Sequence, residues 1–474
     1  MRQTQQPDED TMPDTIHDTL DTLPDPVGGA RRARGARAPA NAWQCFEYGK
    51  PRLFFVALMV VAAGIDVRTR DIGIGGPASN PLEALLLVAF ALLLADAVVF
   101  GHQPARMLES AWRSNRFAVL YFGWAGLAGF FGIYQLSSLS FFVFRNLFPA
   151  FAAYVFLTFS VRRARDLRLL LTVFLIAAGP NLALGLSQYF FDGPFPVRMN
   201  AASAIKMDID GTLVRSAVAG LFNHPNGLAI FLVPVLLTAF GLAVSRAPTG
   251  IRLRLFAGAV LAATMLLLYL SKAKGAWAWS LFGIMVLLAP RVLLAFRHAW
   301  VAHLLAVGAG IAALTTASLL IGGAFNTMLT RIELWHAATL AVGNDVFSLL
   351  FGSSQEGVWR LSTRMSSLQY TNAHNVFLNQ AVYFGLPALV FYAGTFVWAV
   401  RSAQRAFAAA ADPRVAQCAR IALAVLLSMA GQYFFEPAAE ASGYALEWLL
   451  FVGLAAATLR VSQTGGPDPA DQTR

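Results

Sequence analysis

The sequence predicts an all-α, polytopic membrane protein with about 12 transmembrane helices and one large outer loop. Three observations carry this expectation. Residues of the types AVILMFWYC fill 57% of the 474 positions and charged residues only 13%, against about 25% charged in a soluble domain. Mean hydropathy is +0.57. Apolar runs recur at about 20 residues, the length that crosses a bilayer. A soluble globule of this size covers its surface with charge and has no interior for so much apolar side chain.

Taken in order, the spans fall at 46–65, 83–101, 117–136, 139–160, 169–190, 217–244, 253–271, 275–290, 300–322, 376–400, 416–435 and 441–459. In the first, the uninterrupted apolar core runs only from Leu53 to Ile65, and little more than Ser137-Ser138 separates the third from the fourth. Residues 1–45 are polar and acidic, then basic at Arg31, Arg32, Arg34 and Arg37, with no early apolar core for a cleavable signal. They read as a disordered cytoplasmic tail, 46–460 as the transmembrane domain and 461–474 as a second cytoplasmic tail.

The formal charge of +10 would suggest nucleic acid in a soluble chain. Here the cations sit in short loops between apolar runs, which reads as membrane orientation. With both termini in the cytoplasm, five short inner connections hold fifteen arginines: Arg106, Arg113, Arg116; Arg162, Arg163, Arg165, Arg168; Arg246, Arg252, Arg254; Arg291, Arg297; Arg401, Arg405, Arg414. The outer loops hold ten basic residues spread over far more chain. Cys45 and Cys418 form no CxxC pair, which argues against a disulfide scaffold, a thiolate metal site or haem attachment.

Two outer loops are long, about 191–216 and 323–375. Loops beyond about 15 residues are uncommon unless functional or disordered. The second contains Trp335, Trp359 and the amphipathic segment RIELWHAATLAV, so it is expected to carry helices of its own over the outer face. No internal repeat supports an inverted-repeat transporter.

Three polar segments carry candidate chemistry. His374, in Asn372-Ala-His-Asn-Val-Phe-Leu, sits where the chain re-enters the bilayer. It is either a neutral proton acceptor flanked by Asn372 and Asn375, or an interfacial cap. Arg215 closes an outer loop, and Asn223-His224-Pro225-Asn226 interrupts the following apolar run. A guanidinium there suits bidentate phosphate binding, or it snorkels beside a proline kink. Lys272 and Lys274 form a tight outer turn against the positive-inside trend, which fits an anionic ligand or lipid headgroups. Arg145, inside the fourth span, is a further buried cation that must face the bundle or snorkel. Arg215, Lys274 and His374 all fall near outer helix ends. Together they suit one outward-opening pocket with two cations for a pyrophosphate and a neutral histidine for an acceptor hydroxyl. There is no HExxH or nucleotide-binding loop, so a reaction without metal or cofactor is expected. Glu436 and Glu440 flank the last outer turn and read as solvent-facing, or as carboxylates that orient the histidine.

These segments resemble a known family. R-x4-G-L-F-N-H-P-N (Arg215 to Asn226), S-K-A-K-G-A and A-H-N-x-F-L-x6-G-L-P (Ala373 to Pro387) are similar to motifs of the O-antigen ligase and polymerase superfamily. So are R-x2-L-W (Arg331 to Trp335) and L-L-F-G (Leu349 to Gly352). The motifs span about 215–390, and the twelve-helix layout extends the likeness over nearly the whole chain.

The resemblance implies a metal-independent, inverting glycosyltransferase of the bacterial inner membrane. Its active site would face the periplasm, so the large outer loop would be periplasmic. The donor would be an undecaprenyl-pyrophosphate-linked glycan, and the acceptor a lipid A-core sugar, a growing glycan or another hydroxyl. Arg215 and Lys274 would hold the pyrophosphate, and His374 would act as base or orient the acceptor. Lys272, Arg145, Asn223, His224, Asn226, Arg331 and Asn375 complete the expected binding set. The family usually has arginine where this chain has Lys272 and Lys274, and lysine keeps the charge without the bidentate fork. The alternatives are a repeat-unit polymerase for O-antigen or exopolysaccharide and, from another class, a transporter of a lipid-linked sugar or solute.

Overall fold

The computed structural model describes Val56, Val60, Ala247 and residues 104–134, 138–191, 218–222, 225–244, 250–289, 324–353, 373–436 and 442–464. Among these the secondary structure is helical, without strands. The helices are α1 (Pro104–Ser114), α2 (Arg116–Tyr134), α3 (Ser138–Ser160), α4 (Ala164–Ala177), α5 (Gly179–Phe190), α6 (Pro225–Ala243) and α7 (Ile251–Leu270). They continue as α8 (Lys274–Leu288), α9 (Ala324–Val342), α10 (Val346–Phe351), α11 (Val376–Phe384), α12 (Leu386–Ala409), α13 (Pro413–Tyr433) and α14 (Ser442–Thr464).

Among the described residues, six helical stretches are long and apolar enough to cross a membrane: Ala164–Phe190, α6, α7, α12, α13 and Ala445–Thr464. Arg116–Phe131, Leu147–Ser160 and α8 are shorter apolar helices. These nine overlap nine of the expected spans. The expected spans at 46–65, 83–101 and 300–322 lie outside the described residues, except that Val56 and Val60 are helical and buried. The first tail lies outside them too, while α14 runs on to Thr464, into the second expected tail.

Two boundaries differ from the sequence reading. The apolar run 376–400 is not one span: α11 ends at Phe384 and α12 begins at Leu386. Gly385 takes φ +84, and its Cα lies so near the Leu350 carbonyl that a β-carbon would collide with it. Only glycine fits there. The run 217–244 becomes helical only at Pro225, whose fixed φ suits a first helical turn.

Burial sorts the helices into centre and periphery. The apolar window of α13 is 89% buried and that of α7 only 33%. α7 leaves Ile251, Leu255 and Tyr269 largely exposed, as a helix does when it faces acyl chains instead of water. α8 presses on α13 through small residues. Gly431 meets the Trp279 ring with no room for a side chain, and a β-carbon on Gly283 would lie 2.5 Å from Leu237 Cδ1 and Ser428 Oγ. Close backbone approach through small residues is how membrane helices gain van der Waals contact. The Ser428 hydroxyl donates to the Trp279 carbonyl at 3.0 Å in the same seam.

Aromatic side chains fill the space between α2, α12 and α14. Tyr392 lies 4.9 Å from Trp448 and 5.2 Å from Tyr121, ring centre to ring centre. The Tyr121 hydroxyl donates to Gln380 Oε1 at 2.5 Å, which ties α11 to α2. Trp124, one turn further along α2, donates its Nε1–H to the Phe384 carbonyl at 2.9 Å and to the Leu350 carbonyl at 3.2 Å. It also stacks on Phe351 at 5.6 Å. α10, α11 and the start of α12 are thereby fixed at the end of the bundle opposite the arginines.

The expected helices within 323–375 are α9 and α10. α9 turns Leu334, Ala337, Ala338 and Ala341 inward and leaves Ile332, Glu333, His336 and Leu340 exposed. Asp345 caps α10 by accepting from the Ser348 backbone N–H at 2.7 Å.

Candidate functional site

Four chain segments converge at the end of the bundle away from the arginine-rich connections. At their meeting point stands Glu436, just past the end of α13. Arg331 of α9 places Nη2 3.2 Å from Glu436 Oε1, with both side chains 17% exposed. Asn226, in the first turn of α6, donates from Nδ2 to the same oxygen at 3.5 Å. The carboxylate therefore joins α6, α9 and the end of α13.

An aromatic floor supports this polar group. The Arg331 guanidinium lies 6.0 Å from the centre of the Phe435 ring, a cation–π approach. Trp335, one turn along α9, packs at 5.3 Å on Phe434 and 6.1 Å on Phe435. Trp279 of α8 and Phe435 form a small buried cluster of their own beneath, with Phe282, Phe434 and Trp335 against it.

His374 approaches from the fourth segment. Phe377, three residues on, lies 6.5 Å from Phe434. The backbone around His374 is pinned on both sides. The Ala373 N–H donates to Asn379 Oδ1 at 2.9 Å, and Asn375 Oδ1 caps α11 by accepting from the Leu378 N–H at 3.1 Å. Ala373 and Asn375 are buried, while His374, at φ +47, is partly exposed between them. Asn375 thus has a plain structural task as helix cap.

The remaining expected site residues fall as follows. Lys274 opens α8 and Lys272 sits in the turn before it at φ +55, both exposed. Ser271 holds this turn: its hydroxyl donates to the Leu268 carbonyl at 2.8 Å and accepts from the Ala273 N–H at 3.4 Å. Lys274 lies five residues, about 7.5 Å of helix, from Trp279 in the aromatic floor. Arg145 lies in α3 with its side chain outside the description, and Arg215, Asn223 and His224 lie outside the described residues. The segment 218–222 is described, and Gln188 clasps it. Gln188 Oε1 accepts from the Ala219 and Gly220 N–H groups at 3.2 and 3.0 Å, and Nε2 donates to the Gly220 carbonyl at 2.9 Å. Asn181 Oδ1 accepts from the Leu221 N–H at 3.0 Å.

Glu436 corrects the sequence reading. Expected first in a solvent-facing turn, it is largely buried and paired; its partner by charge is Arg331. Glu440 lies outside the described residues. Sequence reasoning also passed over Glu447 of α14, which is buried with both carboxylate oxygens lacking a hydrogen-bond partner among the described residues. A charge-bearing residue inside an apolar run was the available signal. Among the described residues no three of His, Cys, Asp and Glu gather to hold a metal ion.

The fold and the length and apolarity of its helices define a helical membrane protein. Compared with protein-family models and with curated proteins, the chain matches none.

Proposed function

We propose that this chain is a membrane glycosyltransferase that moves a glycan from an undecaprenyl-pyrophosphate carrier to an acceptor hydroxyl, with its site at the Glu436 end of the bundle facing the periplasm of a bacterial inner membrane. The observation that carries the reading is the convergence on Glu436. Arg331, Asn226 and the His374 segment come from parts of the chain that resemble ligase motifs, and they meet at one helix-end cluster beside a lysine-bearing turn.

In this reading Arg215 and Lys274 neutralise the pyrophosphate. Arg331, held in place by Glu436, lends its remaining N–H groups to the donor. His374 accepts the proton of the acceptor hydroxyl as its oxygen attacks the anomeric carbon. The bond from that carbon to the pyrophosphate oxygen breaks with inversion, and the lipid pyrophosphate leaves carrying the bonding pair. The cations compensate charge that grows on the leaving group, which is where preorganised electrostatics lowers a barrier most.

The test is deletion of the gene followed by gel analysis of surface glycans, with complementation by wild type or His374→Ala. Full-length chains that stay on the lipid carrier, restored to the acceptor only by wild type, mean a ligase. Loss of polymer, or single repeat units alone on the acceptor, means a polymerase. Unchanged glycans refute glycan transfer in this pathway.

A further inference from the structure

The opposite, arginine-rich end of the bundle holds a cleft of its own. A cleft of about 470 Å³ opens there between α1, the end of α3, Trp398 of α12 and the end of α14. That volume falls within the range of small-molecule sites. Four arginines line it, Arg106, Arg113, Arg162 and Arg460, against one carboxylate, Glu109. Glu109 is taken up by Arg113 at 2.6 Å on the helix surface, so among the described residues the cleft keeps an excess of positive charge.

Arg460 is the fixed member. Nη2 donates to the Val161 carbonyl at 2.7 Å, and Nη1 donates to the Thr158 carbonyl, both at the end of α3 where carbonyls lack helical partners. Nη1 also reaches Ser110 Oγ at 3.4 Å, which binds α1 to the same corner. The other three cations are exposed. Arg162 lies 5.7 Å from the Phe159 ring centre, which positions its guanidinium at the rim.

The neighbouring surface of α1 is apolar. Met107 and Ala111 face the bundle, whereas Leu108 and Trp112 are 46% and 44% exposed one turn apart. A short helix with one face in the protein, one apolar face outward and arginines on the third lies in a membrane interface. Tryptophan is enriched at that depth.

We propose that this cleft binds the phosphate of an anionic phospholipid from the leaflet at the arginine-rich end, with the acyl chains running past Leu108 and Trp112. A phosphate with an attached hydrocarbon matches both halves of the surface. A soluble phosphate uses only the cationic half. Basic pockets between helices on the positively charged side are the known physical setting for such headgroups.

The experiment is native mass spectrometry of the full chain released from micelles doped with dioleoyl phosphatidylglycerol, dioleoyl phosphatidylcholine or inorganic phosphate. Phosphatidylglycerol should be retained over phosphatidylcholine. The triple variant Arg106→Gln, Arg113→Gln, Arg162→Gln should lose that preference, a fall of roughly a hundredfold for three near-surface cations. Arg252→Gln, at the same end but outside the cleft, should keep it. Should the triple variant unfold, the single variants Arg106→Gln and Arg162→Gln should each weaken binding about fivefold. No preference for phosphatidylglycerol in wild type overturns the proposal. Retention of inorganic phosphate without a lipid preference overturns the lipid as its source. A preference unchanged in the variants overturns the cleft as its location.

Discussion

Arg331 and Glu436, 105 positions apart in the chain, meet at 3.2 Å with most of both side chains withdrawn from solvent. Arg331→Met leaves the carboxylate partly buried without its described cationic partner. The expected loss of stability is about 1–3 kcal/mol, between the small value of exposed pairs and the 3–5 kcal/mol of fully buried ones. Glu436→Gln in the Arg331→Met background should restore part of it. A thermal-melting double-mutant cycle in detergent checks the coupling, and additive losses would mean the two groups act separately.

His374 offers a way to separate folding from chemistry. Its φ of +47 is strained for a side-chain-bearing residue and free for glycine. His374→Gly should therefore melt at or above the wild-type temperature, a gain of up to about 1 kcal/mol, while glycan transfer is lost. A destabilised His374→Gly protein would show that the ring's packing outweighs the backbone gain.

Gly385→Ala should be among the most damaging single-methyl changes in the molecule. The new β-carbon meets the Leu350 carbonyl and lies 2.7 Å from the Phe351 nitrogen, at a φ of +84. Backbone cannot step aside as a flexible side chain can, so a cost of about 3 kcal/mol or more is expected. Fluorescence-detected size-exclusion chromatography after a heating series reads this directly. Gly275→Ala, with open space around its Cα, is the control.

Asp345 predicts a local acid response. The Ser348 backbone N–H, then the Asn344 and Ser348 side chains, hold its carboxyl below the ordinary carboxylate value. A lowered folded-state pKa stabilises the folded form above the ordinary value near 4 and loses that effect as pH falls through the folded one. Amide exchange at the start of α10, corrected for its intrinsic pH dependence, should lose protection as pH drops below about 4. Asp345→Asn should remove this response.

The apolar spans were legible because a bilayer demands long uninterrupted apolar runs whatever the tertiary fold. The break at Gly385 was not, since the stretch from Val376 to Val400 is apolar on average and the cause is a backbone contact with Leu350. Asn226 and His374 were readable as polar residues near helix starts, and Arg331 as the first residue of a motif in the large outer loop. Their common partner was not, because Glu436 lies 210 and 105 positions from Asn226 and Arg331, beyond any local periodicity. Asn375 looked chemical and serves as a cap, a role that its place just before an apolar helix also signals. The left-handed backbone of His374 leaves no trace in composition.

Ser353 and Ala373 are both tied to α11, the first through its N–H to the Val382 carbonyl at 2.9 Å, the second through its N–H to Asn379. The chain that leaves α10 and the chain that returns to α11 are thus moored to the same short helix. α11 is therefore a shared anchor: whatever frays it loosens both chains together, and amide exchange at Ser353 and Ala373 should rise in step.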